Sequence, residues 1–176
     1  NDKYICQLIR NDSIEEFITY INKNDYFLSS KVEDSIFETN QFLLENKPLL
    51  IEYSAFFGST QIFKYLYLNG CKMTPSLWLY SIHGNDPEII SILEENEIKP
   101  QDESYIECYN ESIKCHHINM TEYILQKILD NKSENDLNQI SKSIKYYNFI
   151  YFPKDINSIF AFQKFCRYGY FNFVKF

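Results

Sequence analysis

The stretch "YSAFFGSTQIFKYL" at 53–66 returns 27 residues later as "YSIHGNDPEIISIL" at 80–93. Tyr53 falls over Tyr80, Ser54 over Ser81, Ile62–Phe63 over Ile89–Ile90 and Leu66 over Leu93. With Gly58 as position zero, apolar residues stand four, five and eight places on, which puts a stripe on one side of a helix. Upstream, Ile51, Tyr53, Ser54 and Ala55 mix large and small residues on a second short helix, and the small pair lets neighbouring helices approach closely. A chain with only four glycines places two of them, Gly58 and Gly70, around one of these helices. Self-similarity through helix, turn and second helix constrains the fold more than any single motif does, because such a unit buries its apolar face only by stacking on its neighbours.

The pattern extends in both directions. "SIKCHHINMTEYIL" at 112–125 carries the next unit, with zero at Ile118 or Asn119. A shift of 31, from Ser112 to Ser143, lays "SIKCHH" over "SIKYYN". In "CRYGYFNFVKF" Gly169 takes position zero, with Phe173 and Val174 four and five places on; "IRNDSIEEFITYI" follows the same pattern from Asp12. The expected architecture is an all-α stack of helix–turn–helix units in a single domain, 1–176. Its approximate repeats are 3–22, 49–70, 76–97, 109–130, an irregular 139–152 and a truncated 158–176. Segment 23–48 is an insertion in which "EDSIFETNQFLLEN" forms an extra helix, and Pro153 ends or bends a helix. An irregular bundle of look-alike helices is the alternative.

"GSTQIFKYLYLNG" and "GYFNFVKF" resemble the second helix of an ankyrin repeat, Gly-His-x-x-Ile-Val-x-x-Leu-Leu-x-x-Gly; "LLIEYSAFFG" and "SLWLYSIHGN" stand where its first helix would be. The resemblance covers most of 1–130 and again 158–176, and it is similar to a divergent ankyrin-like family expanded in protists. It implies an ankyrin-like solenoid whose two variable residues before position zero end the inner helix and face a concave groove. Those residues are Phe56–Phe57, His83–Gly84, His116–His117 and Arg167–Tyr168. Aromatic residues and Arg are enriched where proteins bind one another. Phe56 also fits a core position packed against its neighbour, and both readings stand at this point. The tips near Lys47–Pro48 and Met73–Ser76 are further expected contacts. Because "FNFVKF" ends the chain on an apolar face, further repeats or another chain are expected to cover it, the segment being a slice of a longer array.

Composition narrows the partners. A net charge of −7, with acids and bases interspersed, argues against nucleic acid, which needs a concentrated basic face. No uncharged apolar run is long enough to span a membrane, and no secretory leader is evident, although the chain begins with Asn1. Five scattered cysteines without a CxxC pair suit reduced thiols in the cytoplasm.

The densest chemical cluster is "CYNESIKCHH", with Cys108, Cys115, His116 and His117 within ten residues. Adjacent histidines on a helix diverge by about 100°, and Cys-x6-Cys is no ligand spacing, so no metal or cofactor is expected there. Nucleophile elbows, Gly-rich phosphate loops and HExxH are missing from the sequence. Glu15, Glu16, Glu94, Glu95 and Glu97 form a solvated face, and Trp78, aligned with Ile51, takes a core position. The expectation is a non-catalytic module that presents a concave face to a protein partner. Its rivals are a permanent structural subunit docked through its end faces, and a Cys/His-dependent metalloprotein or enzyme.

Overall fold

Every regular element in the described residues of the computed structural model, 2–33, 38–130, 143–151 and 159–170, is helical, apart from an isolated antiparallel bridge between Lys31 and Leu49. The fold is all-α. The chain divides into two compact units, 1–103 and 104–176. Among the described residues no helix is long and apolar enough to cross a membrane.

In the first unit, α1 (Asp2–Arg10) turns into α2 (Ile14–Asn24), α4 (Leu50–Phe56) into α5 (Thr60–Leu68), and α6 (Leu77–Gly84) into α7 (Pro87–Glu95). The short α3 (Gln41–Asn46) lies in the connection between the first two pairs. The first helix of each pair packs on the first helix of the next, α1 on α4 and α4 on α6. The second helices do likewise, α2 on α5 and α5 on α7. Two layers result, with the core between them. Ile62, Phe63, Leu66, Ile89 and Leu93 are fully buried, and side chains of this size contribute about 1.5–3 kcal/mol each on burial.

One turn recurs. One or two places after the first helix a residue takes the left-handed conformation, at Asp12, Gly58 and Asn85, with φ of 49°, 64° and 50°. After Ile9 and Ala55 the chain closes in a Schellman motif: Asp12 N–H donates to Ile9 O and Ser13 N–H to Leu8 O, as Gly58 does to Ala55 and Ser59 to Ser54. Asn85 uses the simpler form, its N–H donating to Ser81 O. The second helices of the last two pairs end the same way, on Gly70 and Glu97.

Polar groups tie successive turns together. The Asp12 carboxylate accepts from the backbone N–H groups of Gln61 and Ile62, both at 3.0 Å, so the first turn caps the start of α5. Asp86 caps its own helix through Glu88 N–H and Ile89 N–H, with Pro87 at the first helical position, and also accepts from the Thr60 hydroxyl at 2.8 Å. At the opposite end of the helices, Glu52 accepts from both Leu49 N–H and the Ser76 hydroxyl.

The second unit contains α8 (Ile106–Lys114), α9 (Ile118–Asp130), a helical turn at 143–145, a 3₁₀ turn at Phe149–Tyr151 and α10 (Ile159–Arg167). Left-handed residues with the same pair of closing bonds stand at His116, Tyr147 and Gly169. Asn148 donates from its side chain to Ile113 O at 3.0 Å, a buried bond between consecutive turns. Ile144 and Phe165 form a small core with Tyr168 and Tyr170 against it. Of the irregular 139–152 unit only 143–151 is described, and of 158–176 only 159–170; Phe173 and Val174 lie outside the described residues.

Among the glycines of the first unit, Gly84 meets the closest neighbours. A Cβ there would lie 2.1 Å from Ala55 O and 2.8 Å from Gly58 N, both backbone atoms that cannot swing aside. Around Gly70 there is open space, so a methyl meets only the cost of its positive φ. Gly84→Ala is therefore expected to destabilise by about 3 kcal/mol or more, and Gly70→Ala by about 1–2 kcal/mol. Urea titrations of the two variants check the order; equal midpoints would refute the close approach.

Candidate functional site

Numbered from the left-handed turn residue, the two positions before zero in the first unit hold Arg10–Asn11, Phe56–Phe57 and His83–Gly84. Phe56 is buried, at 9% relative exposure, and Phe57 and His83 are half-buried. Phe56 stacks on His83 with ring centroids 4.6 Å apart and meets Phe57 edge-on at 5.0 Å. Phe56 is thus a covered core position, which settles the choice the sequence leaves open.

The cover comes from α3. Its first turn is capped by Asn40, whose side chain accepts from Phe42 N–H and Leu43 N–H. That cap orients Phe42 against three rings: Phe56 at 6.0 Å, Tyr80 at 5.1 Å and His83 at 4.5 Å. Leu43 is buried beside it. At the other end of the ring cluster, Arg10 donates to the Tyr53 hydroxyl at 2.7 Å and to Glu38 at 2.6 Å. Its guanidinium lies 5.0 Å from the Phe57 ring centre. Arg10 and Phe42 are site residues that the sequence reading does not select. Arg10 is legible in retrospect, two places before Asp12; Phe42 is not, because the insertion has no counterpart in the other units.

In the second unit the register differs from expectation. The left-handed residue is His116 (φ 60°), not Ile118 or Asn119, and His117 N–H donates to Ser112 O. His116 and His117 therefore form the turn itself, and the two positions before zero belong to Lys114 and Cys115. The error arose because helical spacing alone does not show which residue turns left-handed. His116 and Arg167 are exposed, whereas Tyr168 packs half-buried on Ile144 and Phe165. Cys108 is fully buried, and no three of Cys108, Cys115, His116 and His117 bring their donor atoms within 4.8 Å of one another. Burial, with the neighbouring Glu111 carboxylate, pushes the Cys115 thiol up to about 12, the opposite of what a nucleophile or ligand needs.

Trp78 is fully buried, its indole N–H donating to Ile98 O at 2.7 Å. Of the expected tips, Lys47 is exposed while Pro48 is buried, and Ser76 is engaged with Glu52. Comparison with protein-family models, with curated proteins and with solved structures gives no match.

Burial holds the Tyr53 and Tyr80 hydroxyls above the usual phenol value of 10.0, helped at Tyr80 by the Glu52 charge. Folding then keeps protons that the unfolded chain releases. The stability these groups contribute is complete below pH 10 and is lost as pH rises beyond it. Tyr80→Phe, which removes one such proton, is expected to flatten the fall of melting temperature between pH 9 and roughly 11.5. Thermal melts across that range give the answer, and parallel curves would refute it.

Proposed function

We propose that this chain is an ankyrin-like, non-catalytic module that binds a protein partner through the inner face of its helix pairs. The observation that carries the reading is the recurrent pair itself. The same left-handed turn closes successive pairs, and side chains such as Asp12, Thr60 and Asn148 bond one turn to the next. Such cross-ties hold a surface rigid, so binding orders few groups and loses little entropy. Arg10, Asp12, Glu52 and Asp86 each make at least two side-chain hydrogen bonds, which hold turns, helix starts and the α3 connection. The residues offered for contact are Phe57, His83, His116, His117, Arg167 and Tyr168.

A second reading, a permanent subunit of a larger assembly, draws on exposed apolar residues of the second unit. Tyr147, Ile150 and Phe162 are each more than half exposed. Surfaces of this kind mark docking sites when they are contiguous.

A photo-cross-linking residue distinguishes the two. Replacing His116 or Arg167 by p-benzoylphenylalanine should trap one discrete protein in a lysate of the native cell, and the same residue at Leu68 or Glu122 should trap none. Cross-links only from Ile150 or Phe162 would favour the assembly subunit. Equal yield from every position would overturn both readings.

A further inference from the structure

The inner face of the second and third helix pairs already has an occupant, and it comes from the chain itself. Phe42 sits among Phe56, Tyr80 and His83 at centroid distances of 4.5–6.0 Å, closing an aromatic receptacle that the paired helices supply. Glu38, four residues earlier, reaches Arg10 at 2.6 Å. Leu43, next to Phe42 in the helix, is buried. Three contacts at fixed spacing, an acid, then an aromatic residue, then leucine, are what a bound helical peptide would show.

The hydrogen bonding of the helix in this segment is local. α3 has six residues, too few to be helical alone, and its described hydrogen bonds stay within 38–47. The Arg10–Glu38 pair is partly exposed on the Arg10 side, where ion pairs hold little. Beside the segment a solvent-open cleft of about 170 Å³ is lined by Cys6, Arg10, Leu43, Leu44 and Tyr53. By contrast, the receptacle is rigid: its walls belong to α4 and α6, locked at Gly84.

We propose that residues 38–47 are a resident pseudo-ligand, and that the receptacle of Phe56, Tyr80, His83 and Arg10 takes a partner segment of the same chemistry. That segment carries an acidic residue four places before an aromatic–leucine pair on a capped helical turn. The inference rests on the binding-module reading for its biological sense, but its test uses this protein alone, so its failure and that of the module reading are separate results.

The probe is a fluorescent peptide of residues 38–48, ETNQFLLENKP, titrated into the intact chain and into Phe42→Ala/Leu43→Ala. The released chain should bind it at least tenfold more tightly than the intact chain does. The peptide carrying Phe42→Ala should not bind, and a further His83→Ala in the chain should weaken binding severalfold. A variant that keeps its helical circular dichroism yet binds the peptide no better than the intact chain overturns the proposal. Hydrogen exchange on the intact chain decides independently of any variant. The amides of Leu43, Leu44 and Lys47 should exchange at least a hundredfold faster than those of Tyr53 and Phe63, after correction for intrinsic rates. Exchange of both sets at one rate would make α3 inseparable from the core and would refute the idea.

Discussion

A left-handed residue at the end of the first helix reverses the chain, and the packing in each unit depends on that reversal. It satisfies the last carbonyls of one helix and aims the next so that its apolar stripe returns over the first. Where the residue is Gly, Asp or Asn, the conformation costs little. At Tyr147 it costs about 1–2 kcal/mol, which buried Ser143, Ile144 and Asn148 around the turn must offset. The same geometry brings first helices side by side, and at Gly84 it does so closely enough that no Cβ fits. Ser54, Ser81, Ser112 and Ser143 all stand four places before their turn residue and are all buried. A small side chain there keeps the turns close, and the Ser54 and Ser112 hydroxyls satisfy themselves on carbonyls three residues back in their own helices.

On that frame the insertion changes the character of the inner face. Without α3, Phe56, Tyr80 and His83 would form an open apolar groove. With it they are covered, and at the turn end of the first unit Arg10, Asn11 and Asn85 are exposed while Phe57 and His83 stay half-buried. Covering the rings in this way keeps an apolar patch out of solvent, where it would be a liability in any isolated domain.

Much of the helix order is visible in the sequence because it follows from local chemistry. The stripe at Ile62, Phe63 and Leu66, the cap and proline at Asp86–Pro87, and the glycines at 58 and 70 each announce their element by spacing or by backbone preference. The histidine turn holds two adjacent residues with the same tolerance of a left-handed backbone, His116 and His117, and apolar spacing alone left the register adrift by two or three places. Of the extra helix expected over "EDSIFETNQFLLEN", only 41–46 is helical, 38–40 is not, and 34–37 lies outside the described residues; its role as the cover of Phe56 was not legible, since nothing local to 41–46 refers to α4 or α6.

By itself, then, the sequence determined that the described chain is all-helical, that helices pair through tight turns, and that Trp78 and the Ile–Phe stripes are core; periodicity and turn preference act within a few residues and need no distant partner. Only the tertiary structure decided that Phe56 is covered, that Asp12 caps a helix 49 residues away, and that Arg10 joins Glu38 to the ring cluster. Those outcomes rest on contacts between segments far apart in the chain. Their distances are set by how closely the helix pairs stack, a quantity no local pattern encodes.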